Sequence, residues 1–270
     1  MTGEPESSCL SLVVGGRSVA ENLDRAVVTD RITLRPDGRY TLSDSQMQAN
    51  GIGLADPYIF RGHGTPHPCV FFTDFLFNHA YAGAAVPWGC RNCYKIKVAT
   101  PTLRQMWQMK TLAESLPITT KSGPEAMNLL NQSLYGTYVY NCTGGLEAAN
   151  ATLSTLRPLI EATPGLASVA KISIKRCCTH IELSCGPSDC YTFDPGLEAV
   201  EAYLRPRFVL DYRPPVPEAL LNKMKVLHMA RAAFQIGDET YRDFTGGKPL
   251  QKTCVNYVDV VPAVRENEHD

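Results

Sequence analysis

Cys90 and Cys93 stand with two residues between them in Val86-Pro-Trp-Gly-Cys-Arg-Asn-Cys-Tyr-Lys-Ile-Lys-Val98, a tight loop that opens into an alternating segment. This spacing lets both sulfurs face one metal ion or one iron of a cluster, with Gly89 allowing the turn. A thiol–disulfide pair uses the same spacing, and two incidental cysteines in a turn are the plain alternative. Further thiols follow at Cys177 and Cys178, and in the turn cluster Cys185-Gly-Pro-Ser-Asp-Cys190.

Upstream, His63, His67 and Cys69 crowd three potential ligands into a loop rich in proline and glycine. Such a group suits a second metal site or a set of proton donors and acceptors, since histidine exchanges protons near neutral pH. The alternative is a rigid loop whose histidines bond to backbone. His63 and His67 are the expected catalytic groups, lying over the same end of the fold as Cys90. His79, in the apolar run Val70 to Ala85, reads as a core histidine.

The elements that must position these groups follow from periodicity. Leu10 to Val14 and Asp30 to Leu34 suit strands, and Arg35-Pro-Asp-Gly-Arg39 reads as a hairpin turn returning through Tyr40 to Leu42. Residues 43 to 69 carry too many breakers for regular structure. From Cys93, alternation predicts a strand with Tyr94, Ile96 and Val98 on the buried face. Thr100-Pro101 then caps a helix carrying Leu103, Met106, Trp107, Ala113 and Leu116.

Ile118 to Thr120 is a weak strand, and the stretch from Ser122 to Ser133 reads as an insertion or a small extra helix. Tyr135 to Tyr140 is a strand. Leu146 to Ile160 is a helix that Pro158 kinks near its end. Val169 to Lys175 is the last strand of this series. Helices over Pro195 to Tyr203 and Leu220 to Phe234 flank a proline-rich linker at Arg213 to Pro217.

The order strand, helix, strand, strand, helix, strand predicts an α+β fold with a ferredoxin-like β-α-β-β-α-β core, an antiparallel sheet with helices on one face. Its boundaries are 90–192. An N-terminal β/loop extension covers 1–89, a helical C-terminal extension 193–262 and a disordered acidic tail 263–270. In that topology the first and last strands are antiparallel neighbours, so Cys90 and Cys93 should meet Cys177 and Cys178. Side-chain parity favours Cys177 as the ligand, and a bulge at Arg176 or Cys177 would favour Cys178. Cys185 is the expected fourth thiolate, with Cys190 and Cys142 as substitutes. Cys9 and Cys254 carry no motif. Lys95, Lys97, Lys171, Lys175 and Arg176 are expected on one open face, to hold an anionic substrate or an acidic electron-transfer partner, or simply to solvate the sheet.

Composition narrows the function. The 270 residues carry 26 basic against 27 acidic side chains, which argues against coating nucleic acid or an anionic membrane. No run approaches a membrane span. The first residues lack the basic and apolar regions of a signal peptide, so a reducing cytoplasm is expected. These features predict an iron–sulfur protein, [4Fe–4S] in preference to [2Fe–2S], acting as an oxidoreductase or lyase on a small anionic molecule. Zinc is the alternative metal, in a ferredoxin-like module binding nucleic acid or protein, although the RNA-recognition signature is missing. A cysteine-nucleophile enzyme using Cys69 or Cys93 is a third reading, and it needs a lowered thiol pKa. The C-x-x-x-C-x-x-C triplet of radical chemistry is absent.

Overall fold

In a computed structural model the described residues are 7–49, 57–62, 69–125, 133–141, 144–210 and 216–250. Strands β1 (Val13–Val14) and β2 (Arg17–Ser18) pair as a short ribbon after a 3₁₀ turn at Ser7–Ser11, where the sequence suggests one strand. Helix α1 (Val19–Val28) then begins at a capping box: the Glu21 N–H donates to Ser18 Oγ at 3.2 Å and the Ser18 N–H donates to the Glu21 carboxylate at 2.8 Å. It buries Val19, Leu23 and Ala26. The hairpin β3 (Ile32–Leu34) and β4 (Tyr40–Leu42) forms as its turn residues predict. The expected irregular stretch 43–69 instead contains helix α2 (Asp44–Ala49) and strand β5 (Ile59–Arg61).

Val70–Ala80 is a π-helix. Phe71, Phe72, Phe75, Leu76, Phe77 and Ala80 are buried together with Thr73 and His79, so nearly every side of the segment faces the protein interior. Stacked rings of Phe71, Phe75 and Phe208 fix it, and the side-chain amide of Asn22 donates to Ala80 O at 3.1 Å. Extended π geometry is rare and accompanies functional sites more often than chance.

Strand β6 (Tyr94–Thr100) leads to α3 (Leu103–Glu114), β7 (Thr119–Pro124), β8 (Tyr135–Asn141), α4 (Gly145–Ala162) and β9 (Lys171–Arg176). The cap of α3 is Thr102, whose hydroxyl accepts from the Gln105 N–H at 3.4 Å; Thr100 is paired with Tyr135 in the sheet and is not available to cap. Ser122 to Pro124 belong to β7 and not to an insertion, because Ser122 pairs with Thr137 and their hydroxyls share a hydrogen bond of 3.0 Å. Cys177 and Cys178 then lead into α5 (Thr179–Cys185), a helix that the turn residues around Gly186 conceal in the sequence. Helices α6 (Gly196–Leu204) and α7 (Glu218–Gln235) complete the described elements of this size.

The architecture is mixed α+β, built on a five-stranded antiparallel sheet in the order β5-β7-β8-β6-β9. Ile96, Val98 and Val139 pack with Met109, Ala113, Leu156 and Ile160, so α3 and α4 cover one face. A second core joins α1, the π-helix, α5 and α6 around Cys90, Cys93 and Cys177. A third joins α3 and α7 through Met106, Tyr135 and Met229. No described helix is long and apolar enough to cross a membrane.

Candidate thiol site

Pairing of β6 with β9 is what assembles the thiols. Tyr94 lies opposite Arg176, and one step further the Cys177 N–H donates to Cys93 O at 2.9 Å. The Cys90 loop and the Cys177 junction are therefore held at the same sheet end, as antiparallel neighbours must be. The Cys177 thiol is hydrogen-bonded to Cys90 on one side and Cys178 on the other. Cys177 has φ +57°, so the chain turns sharply out of the strand there, and both of the paired cysteines stay near the loop. Strict alternation would have directed only one of them inward.

The π-helix supplies more of the wall. Cys69, just before it, lies in electrostatic range of Cys178 and Cys93, and Thr73 Oγ1 is 3.9 Å from Cys178 Sγ. Sequence spacing grouped Cys69 with the histidine loop; nothing local shows that the helix carries it to the distant cysteines. His63 and His67 lie outside the described residues, as do Cys142 and Cys254. Cys185, at the end of α5, directs its thiol to Gly83 O at 3.9 Å, and Cys190 is exposed beside the Asp189 carboxylate. Cys9 is half-buried at the edge of the same core.

The loop itself is clamped from behind. The Glu201 carboxylate on α6, buried at 7% exposure, accepts from the N–H groups of Trp88 at 2.5 Å and Gly89 at 2.9 Å, and from Tyr81 Oη at 3.3 Å. Gly89 is required for space and not for an unusual dihedral: a Cβ there would run into the ring of Phe72. Glu201 gives no signal in the sequence, since it is one acidic residue of an ordinary amphipathic helix.

Burial and mutual contact raise the thiols of Cys69, Cys90, Cys177 and Cys178. Burial pushes the Cys69 thiol well up, with Cys178 and Cys93 adding to the effect and Lys95 and Lys121 opposing it. For Cys178 the hydrogen bond to Cys177 and then burial act in the same upward direction. The bond to Cys178 lowers Cys177, but the bond to Cys90 and burial outweigh it and leave that thiol at about 12. Cys90 is lowered by its bond to Cys177, yet burial and the neighbouring sulfurs leave it raised. A nucleophilic cysteine needs the opposite shift.

Among the described residues no group of three or more His, Cys, Asp or Glu side chains is set to hold a metal ion. The thiols meet, but as a hydrogen-bonded group.

On the sheet face away from α3 and α4, Lys95 pairs across to Lys175 and Tyr140, and Lys97 to Ser173 and Tyr138. Lys171 shares this face and is exposed. Lys175 is bonded to Glu182 and Thr179. Arg176 falls on the other face, opposite Tyr94; its guanidinium donates to Arg91 O at 2.7 Å and lies over Phe193. The expected five-residue basic face therefore lacks Arg176. It gains Lys121, from β7, together with Tyr58, Tyr138 and the buried Glu125. Elsewhere, a cleft of about 650 Å³ among β5, α3 and α7 is lined by Phe60, Trp107, Lys110 and Leu227 and contains no cysteine.

The chain matches no protein-family model, no curated protein and no solved structure.

Proposed function

We propose that this chain is a thiolate-ligated metal protein, with an iron–sulfur cluster, [4Fe–4S] in preference to [2Fe–2S], as its group and a small anionic molecule as its substrate. One observation carries the reading: the Cys90 and Cys93 loop and the Cys177 and Cys178 junction, distant in sequence, are tied together by the Cys93 O to Cys177 N–H bond. Cys90, Cys93, Cys177 and Cys178 would supply the four thiolates, with Cys69, and not Cys185, as the substitute within reach. Buried thiols with raised pKa values are poor nucleophiles but lose their protons to a bound cation, so metal uptake here releases protons and draws the sulfurs inward. The cluster supplies electron transfer or a Lewis-acidic iron.

In this reading Glu201 holds the loop backbone, the ring of Phe72 packs on the loop at Gly89, and His63 and His67 exchange protons with the substrate. A ferredoxin-like unit formed by β6 to β9 with α3 and α4, extended by β5, is the fold we propose. The neighbour order β9-β6-β8-β7 supports it. A reducing cytoplasm suits a chain with this many thiols.

Anaerobic purification followed by a visible spectrum and metal analysis tests the reading. Brown protein with iron and sulfide is the expected result. Colourless protein with stoichiometric zinc transfers the site to a structural role, and protein that takes up neither metal overturns the proposal.

A further inference from the structure

Lys95 is buried at 9% exposure, in electrostatic range of Cys69 and Cys178 and beside the ring of Tyr138. Lysine is almost never buried to this degree without an ionic partner. The carboxylates of this face are used elsewhere, Glu125 by Lys97 at 3.6 Å and Glu182 by Lys175, and among the described residues none pairs with Lys95. Its ammonium instead stands 5.3 Å from the centre of the Tyr138 ring. A ring face attracts a cation, but less strongly than water does, so that contact offsets only part of the desolvation.

Two more ammonium groups converge on the same ring, Lys121 at 5.1 Å and Lys97 at 5.6 Å, and Lys121 also lies 4.1 Å over Tyr58. Tyr138 is held in place by its hydroxyl bond to Glu125, which Tyr58 Oη also engages at 2.5 Å. The aromatic floor is thus fixed before any ligand arrives. The Glu125 carboxylate already balances Lys97 beside this ring, which leaves the buried Lys95 ammonium as the charge that an added anion would neutralise.

We propose that Lys95 anchors a binding site for a small oxyanion, a carboxylate or phosphate group, seated between the thiols of Cys69 and Cys178 and the ring of Tyr138, with Lys97 and Lys121 on its flanks. The site places the anionic group of a substrate directly beside the sulfurs. It rests on the reading above for the chemistry that follows binding, but not for binding itself.

Calorimetric titration of the full chain with inorganic phosphate, and separately with succinate, tests the site at low ionic strength. Saturable binding of at least one is expected, weakened by roughly tenfold or more in Lys95→Met, which keeps the apolar stem and removes the charge. The exposed Arg157→Gln variant, on α4 across the sheet, should bind as the parent does. If Lys95→Met does not fold, Lys121→Gln is read in its place, with the same loss expected. No saturable binding of either anion to the parent chain, or equal affinity in parent and variant, overturns the proposal. Metal content measured on the same samples separates the two ideas. Metal-free protein that binds the anion removes only the metal reading, and metal-bearing protein that does not bind it removes only the anion site. Lost metal with unchanged anion affinity in Lys95→Met assigns the ammonium to the sulfurs and also overturns the site.

Discussion

Cys177 donates its backbone N–H to the carbonyl oxygen of Cys93 at 2.9 Å, one step beyond the last paired residues of β6 and β9. This bond makes the two cysteine segments a single site, and each side of it predicts a distinct mutational outcome.

Cys93→Ser and Cys177→Ser should lose or convert the metal centre, while Cys190→Ser should retain it, because Cys190 is exposed and outside the thiol group. Metal analysis of the three purified variants decides this. Equal metal content in all of them would show that the wrong cysteines have been chosen.

Gly89→Ala should destabilise the chain by about 1–3 kcal/mol, the usual range for forcing a methyl group into a packed core. The added Cβ meets the ring of Phe72, a stiff side chain that is itself buried among the π-helix aromatics. Urea unfolding measures the cost. A variant as stable as its parent would mean that the loop and ring separate readily.

Glu201→Gln should cost about 1–3 kcal/mol, since an amide offers one oxygen where the carboxylate accepts from both the Trp88 and Gly89 N–H groups, and its NH₂ must face a donor. The loop ahead of Cys90 should loosen with it. Faster hydrogen exchange at Trp88 and Gly89, with α3 and α4 unchanged, is the expected signature; uniform exchange across the protein would argue for a global effect only.

Asp74, on the π-helix, gives a pH dependence of known sign. Burial raises its carboxyl from the ordinary value of 3.8 to about 7, so between those values the folded chain holds a proton that the unfolded chain has released. Stability from this group is fully present below about pH 4 and is lost as pH rises through 7. Asp74→Asn should flatten that part of the curve and gain relative to its parent above pH 7. Parallel stability curves for the two proteins between pH 4 and 8 would remove the assignment.

Much of the sheet was legible because its signals are local. Alternation in Tyr94 to Val98 and in Ala170 to Lys175 marks β6 and β9, and apolar spacing marks α3 and α4. Their order along the chain was enough to predict that Cys93 and Cys177 meet, because antiparallel neighbours join opposite ends of the sequence. Helix α1 also carries a local signal, the Ser18 to Glu21 capping box that stands in the sequence. The run from Val70 to Ala80 has no such marker, since a segment buried on nearly every side shows no clear apolar stripe to read.

What only the tertiary structure decided is which side chains share the site. The φ of +57° at Cys177 breaks the alternation that parity arguments assume, and so keeps both Cys177 and Cys178 beside the loop. Arg176 belongs to the helix-covered face because it pairs with Tyr94, and register depends on partners that no single strand encodes. Cys69, Glu201 and Tyr138 reach the thiols and Lys95 from three separate elements, through contacts far apart in sequence. Residue type and spacing determine where thiols and charges occur along the chain; packing determines which of them are buried together, and burial sets whether a cysteine is a nucleophile, a ligand or a core residue.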